Sequence, residues 1–286
     1  MHVTRPSVAY SILMLAFVTA GVSSCARLRP FRSKLPGEPA TQPAALPDDE
    51  SRPTVPEAPL AFALEDDDVV RVIAGQTTCS GALIESDRVL TAHHCVAARD
   101  DRGDILNRDV PAEEVRIELG GDYLPWGEVG VRAIIAPRCG HKTGDGDIAI
   151  LVLDRRLVGV PTLRTRLGRA PELGENVDPV GFGRCALSHD GIRRKHRAGG
   201  KIDKLTAGHF RLNAAICPGD SGGPALTREG LIVGVVSASA MDGSESTLGK
   251  TEFTRVDRWR PVFSNAKLVA EGSSPAELPP IDCAHQ

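Results

Sequence analysis

The chain has 286 residues, 41% of them hydrophobic and 25% charged, with 34 basic residues against 37 acidic ones for a net charge of -3. That near-balance excludes a dominant electrostatic attraction to nucleic acid or to an acidic membrane surface. The length is ample for a sizeable buried core.

His2 and Arg5 precede an apolar run over residues 8–22, which ends in Val22, Ser23, Ser24 and Cys25. The run is shorter than the roughly 20 residues of a membrane-spanning helix, and its basic start, apolar middle and small-residue end predict a secretory signal over residues 1–25. The residues before Cys25 also resemble a bacterial lipobox, whose cysteine is acylated and becomes the mature N-terminus. The resemblance implies a lipid anchor at Cys25 and an exported lipoprotein on the periplasmic or outer-surface side of the cell envelope. Ordinary signal cleavage, giving a secreted protein, is the alternative. Lipid anchoring contributes about 0.8 kcal/mol per buried CH₂, and stable attachment takes more than one chain. Residues 26–60 are dominated by Pro, Ala, Arg, Glu and Ser with no apolar period. They read as a flexible linker or a propeptide.

From residue 61 onward the pattern is all-β. Val- and Ile-rich runs at 69–74, 81–84, 88–91, 115–119, 129–135, 148–153, 177–181 and 231–237 are separated by Gly, Pro, Asp and Asn, as strands and turns are. Helical periodicity is scarce. Asp257 is expected to cap a short terminal helix, with Pro261 in its first turn. The acidic run 65–68 reads as a charged turn and Arg193, Arg194, Lys195, His196 and Arg197 as a solvated surface loop; Arg102, Gly103 and Asp104 read as an ordinary loop.

Three short segments carry chemistry. Cys217, Pro218, Gly219, Asp220, Ser221, Gly222, Gly223 and Pro224 form a glycine-rich bend that presents one hydroxyl. A serine nucleophile requires a base and a carboxylate that orients it. Thr91, Ala92, His93, His94 and Cys95 supply imidazoles, and Asp147 abuts the apolar run Ile148, Ala149, Ile150 and Leu151, whereas Asp145 reads as a turn residue. The order along the chain is His, Asp, Ser. It differs from the order of α/β-hydrolases, whose nucleophile elbow comes before the histidine.

These segments together resemble the trypsin/chymotrypsin family of serine endopeptidases, over residues 69–263. The resemblance implies two packed six-stranded antiparallel β-barrels, 61–165 and 166–286, with the active site in the cleft between them. It selects His94, next to Cys95, as general base, Asp147 as its orienting carboxylate and Ser221 as nucleophile, with the N–H groups of Gly219 and Ser221 as oxyanion hole. His93 replaces a small residue and reads as a packed or hydrogen-bonded neighbour of His94. No cofactor is required. The implied partners are protein or peptide substrates, with no nucleic acid, and the protein is expected to be monomeric. A catalytically silent or zymogen-locked relative acting as a binding module is the alternative.

With Cys25 set aside, six cysteines remain, an even number suited to disulfides in an oxidising compartment. The family resemblance pairs Cys79 with Cys95. It also bridges the position of Cys217 to a cysteine in the loop after strand 231–237, yet Ser239 to Lys250 contains none. Cys185 is then the expected partner of Cys217, which leaves Cys139 for Cys283 and pins the C-terminal tail to the first barrel. No C-x-x-C or H-E-x-x-H spacing occurs, and no metal site is expected.

By the same resemblance, Ala215 and Ile216 form the base of the primary specificity pocket, and Ser237, Ala238, Ser239 and Thr251 its walls. Ala215 supplies no charge for Arg or Lys, and Thr251 narrows the slot, so small or medium aliphatic P1 residues are expected. No Ile-Val-Gly-Gly-like start lies between Arg52 and Val72. Asp220, which in many relatives pairs with the amine freed by activating cleavage, therefore either finds another cation or depends on cleavage at an unfamiliar site.

Overall fold

The structure, a computed structural model, describes residues 66–121, 124–185, 191–239 and 248–283. Residues 1–51 and 52–286 separate as two units, and every described residue belongs to the second. The signal, Cys25 and linker expectations fall outside the described residues. Among the described residues no helix is long and apolar enough to cross a membrane.

Eight strands build the first half: β1 Val69–Ala74, β2 Thr77–Glu85, β3 Arg88–Thr91, β4 Ala97–Arg99, β5 Ile105–Asp109, β6 Val115–Leu119, β7 Gly127–Ile135 and β8 Ala149–Leu153. Six of them close a barrel in the order β1-β2-β3-β8-β7-β6, and β4 and β5 form a separate two-stranded ribbon. Burial alternates along β6 and β7, the period-2 signature of strands with one face in a core and one in solvent. β8 is buried at every position. Ala149, Leu151 and Leu153 fill the barrel, while Ile150 and Val152 face outward against Trp259, Val262 and Val269.

The second half contributes β9 Asn176–Gly181, β10 Lys195–His196, β11 Gly200–Lys201, β12 Lys204–Leu205, β13 His209–Ala214, β14 Pro224–Thr227, β15 Ile232–Ser239 and β16 Gly249–Arg255. They form one sheet in the order β10-β9-β14-β15-β16-β13-β12, with β11 also on β9. Eight strands stand where six were expected because residues 195–205 pair in three two-residue pieces, β10 and β11 on β9 and β12 on β13. Phe210 and Phe253 stack at 5.0 Å in this core. Gly234 beside them has no room for a side chain, since an added Cβ would lie 2.5 Å from the Phe210 ring.

The helix α1, Arg260–Ala270, carries Pro in its first turn, where the missing N–H leaves no bond unmade. Asp257 does not cap it. That residue lies in the preceding 3-10 turn, and its carboxylate is taken by Arg255 at 2.7 and 3.0 Å. α1 returns to the first barrel, burying Val262, Ala266 and Val269 with Leu90, Ile150 and Val152. Arg132 Nη2 donates to the carbonyls of Val269 (2.8 Å) and Ala270 (3.2 Å), two of the orphan acceptors of a helix C-terminus.

Neither charged run is solvated in the way its composition suggests. Asp67 is fully buried, and Arg194 donates to it at 2.9 Å and to the Val69 carbonyl at 3.2 Å. Arg197 is buried as well. Burial and the acidic neighbours Asp66 and Asp67 push the Asp68 carboxyl up to about 6, against the pull of Arg194.

Candidate active site

β3 and β8 are neighbours in register, with Thr91 opposite Ala149. The turn that leaves β3, His93–Cys95, therefore faces the residues that lead into β8, Asp147 among them. Asp147 is wholly buried and accepts three hydrogen bonds: from the His94 backbone N–H (2.9 Å), from His94 Nδ1 (2.8 Å) and from Ser237 Oγ (2.5 Å). A carboxylate facing Nδ1 requires the proton there, so Nε2 is left with its lone pair free. Asp145, two residues earlier, is exposed.

Ser221 is half-buried in the turn between β13 and β14. Its carbonyl accepts from the Ser80 N–H at 2.8 Å, the Ser80 carbonyl accepts from Thr91 Oγ1 at 2.8 Å, and Cys79 next to Ser80 is disulfide-bonded to Cys95. Two hydrogen bonds and one covalent bridge thus bring the serine loop to the histidine turn. Among the described residues no hydrogen bond joins Ser221 Oγ to His94 Nε2. The N–H groups of Gly219 and Ser221 likewise meet no acceptor among the described residues. Gly219 holds φ +101, and an added Cβ would come within 3.1 Å of Gly183 Cα, so glycine is needed for this backbone to present its N–H.

Ser80 is a contributor that sequence reading passed over. Its hydroxyl, fully buried, donates to the Gly219 carbonyl at 2.7 Å and accepts from the Phe182 N–H at 2.8 Å. One Oγ therefore ties two loops together at the back of the site. Ser80→Ala leaves the buried Phe182 N–H without a partner and is expected to lower the unfolding free energy by about 1–3 kcal/mol, measured by urea denaturation.

Asp220 finds a cation. Its carboxylate accepts from the N–H groups of Gly183 (2.7 Å) and Cys217 (2.8 Å), and Arg197 Nε stands 2.9 Å from Oδ2. The Arg197 N–H is not aimed along that contact, so it is an ion pair rather than a directed hydrogen bond. The same guanidinium donates through Nη2 to the Gly183 carbonyl. Burial pushes the Asp220 carboxyl up; Arg197 and the two backbone donors oppose it.

Ala215, Ile216 and Cys217 are buried, and Ala238 and Ser239 are half-buried. Ser239 and Thr251 are opposite one another across β15 and β16, and their hydroxyls hydrogen-bond at 2.7 Å. Ser237 turns its hydroxyl to Asp147. Cys185 is bonded to Cys217 and Cys139 to Cys283. Sulfurs of Cys79 and Cys95 lie near His94, but a disulfide has no thiolate to offer a metal.

His93 has partners of its own, distinct from Asp147. Its Nδ1 faces the Cys139 carbonyl at 2.7 Å and its Nε2 faces Asp109 Oδ1 at 2.8 Å. The His141 ring lies 4.1 Å from that of His93, and burial and His93 hold His141 below the ordinary histidine value.

A trypsin family model matches residues 69–262. Human cathepsin G is 30% identical over 212 residues, which cover 66% of this chain and 76% of cathepsin G. Neuropsin, a serine protease expressed in the limbic system of mouse brain, superposes with a TM-score of 0.56 at 18% identity over 72% of this chain and 98% of its own. An inactivated protease paralogue of the scabies mite gives a TM-score of 0.56 at 20% identity, covering 72% of this chain and 95% of the paralogue. At these identities the two structures speak for the fold alone. The family match spans well over half the chain and contains His94, Asp147 and Ser221, so the protein belongs to the trypsin family.

Proposed function

We propose that this protein is a serine endopeptidase that cleaves peptide bonds through an acyl-enzyme. The His94 Nδ1 to Asp147 bond carries the reading, because it puts the proton on Nδ1 and leaves the Nε2 lone pair to take another. Ser221 Oγ attacks the scissile carbonyl, His94 takes its proton and returns it to the leaving amine, and Asp147 stabilises the imidazolium without accepting the proton. The Gly219 and Ser221 N–H groups receive the oxyanion; a single such donor is worth about 2.7–4 kcal/mol in the transition state. Water then hydrolyses the acyl-enzyme by the reverse route.

The activating cation is internal. Arg197 occupies the acid that many relatives offer to a new N-terminal amine, which supports an uncleaved chain competent for catalysis and argues against a zymogen-locked module.

The pocket selects small or medium aliphatic P1 residues. Ala215 gives its base no charge, and the Thr251–Ser239 hydroxyl pair narrows it. Profiling with a mixed peptide library is expected to show cleavage after Ala and Val; dominant cleavage after Arg or Lys would overturn this specificity. Disulfides and family membership fit an exported protein. Within that setting Cys25 is the acylation site and residues 26–60 the tether that holds the enzyme off the bilayer.

A further inference from the structure

His93, Asp109 and His141 converge from three separate elements, with their ligand atoms all within 4.8 Å of one another. His93 belongs to the turn after β3, Asp109 ends β5 and His141 lies in the loop that runs from Cys139 to Asp147. The hydrogen bonding of His93 determines what the cluster can hold. A carbonyl accepts but cannot donate, so the Nδ1 that faces Cys139 O must carry the proton. In a neutral imidazole Nε2 is then a lone pair, yet it faces a carboxylate oxygen, itself an acceptor, at 2.8 Å. His141 Nε2 approaches the same oxygen at 3.3 Å. Two imidazole nitrogens and a carboxylate thus turn toward one point that needs positive charge.

A proton on His93 Nε2 would satisfy the first contact and the Nε2–H tautomer of His141 the second. A metal ion would take all three ligand atoms at once. Zinc with nitrogen and oxygen ligands at about 2.0–2.1 Å places tetrahedral ligand atoms about 3.3 Å apart; the His141–Asp109 separation of 3.3 Å is of that size, and the His93–Asp109 separation of 2.8 Å, that of a hydrogen bond, would widen slightly around an ion. The Nδ1–H to carbonyl bond of His93 is also the usual outer support of a metal-bound histidine, fixing tautomer and ring together. We infer that His93, Asp109 and His141 bind a divalent transition-metal ion of the zinc type, which fastens the β4–β5 ribbon to the 139–147 loop. Asp109 is one-third exposed, so the fourth position opens to water and the ion can exchange. Nothing in this inference depends on the peptidase reading.

The test is zinc binding to the full chain after chelation and dialysis, read by isothermal titration and by metal analysis, with Co²⁺ absorption as a report on tetrahedral geometry. One equivalent is expected. His141→Gln and Asp109→Asn should each weaken binding by more than about 100-fold, since loss of an outer partner alone weakens metal sites about 10–100-fold. Metal-free circular dichroism shows whether each variant is folded; if Asp109→Asn is not, the loop variant His141→Gln decides. No zinc uptake by the wild type would mean that a proton alone holds His93 to Asp109 and would overturn the proposal. So would binding at wild-type strength in a folded variant, which would put the ion elsewhere.

Discussion

Ser221→Ala is expected to lower kcat by about 10⁶-fold on a peptide substrate while leaving the fold intact, because a methyl group in place of Oγ removes the covalent route. Residual acceleration of about 10³–10⁴ over water should survive through the oxyanion donors and substrate binding. His94→Ala should be as damaging alone, and the double variant little worse, since nucleophile and base act as one unit. Asp147→Asn is a milder case with a different cause. The amide that replaces the carboxylate could donate to Nδ1 rather than accept from it, which puts the histidine proton on the wrong nitrogen; loss of about 10⁴-fold is expected. Single-turnover kinetics on an activated ester and on a peptide separate these effects from substrate binding.

Arg197→Met carries the second large effect. It removes the cation from a buried carboxylate and leaves Asp220 with only the N–H groups of Gly183 and Cys217. Breaking a buried pair in this way costs about 3–5 kcal/mol. Without Arg197 the burial that already pushes the Asp220 carboxyl up acts with less opposition, so the carboxyl is pushed up further in the variant. The loop that presents Gly219 and Ser221 then loses its anchor. Urea unfolding should register the lost stability, and kcat should fall more than KM rises. Arg197→Lys keeps the charge without the fork that also reaches the Gly183 carbonyl, and partial recovery is expected. The wild-type chain, shown by mass spectrometry to be intact beyond its signal, should be active without further cleavage; activity that appears only after proteolysis near residue 69 would assign Asp220 a different partner.

The reach of the sequence varied with how local each signal was. Strands β1, β3 and β6 are legible to the residue because Val-rich runs are bounded by turn residues. β13, with His209, Arg211 and Asn213 on its outer face, and β16, with Lys250 and Glu252, are hidden by polar residues on their solvent side. The His, Asp and Ser segments are visible as motifs. Their supports are not, because Ser80, Ser237, Arg197 and Asp109 are single residues whose partners lie far away in the chain. Arg197 is the instructive case: composition makes the 193–197 run look like a solvated loop, and only the packing of β10 on β9 carries its last arginine to Asp220. His93 and Asp109 are 16 residues apart, outside any short ligand spacing. The tail is similar, since Asp257 has the right character for a cap but is consumed by Arg255 two residues earlier.

The most direct measurement is reaction of the intact wild-type protein with a fluorophosphonate, followed by peptide mass spectrometry to locate the adduct. A single adduct on Ser221, absent from folded Ser221→Ala and strongly reduced in His94→Ala, is the predicted result. Well-folded wild type that takes up no reagent, or an adduct that persists in Ser221→Ala, would contradict a serine endopeptidase built on His94, Asp147 and Ser221.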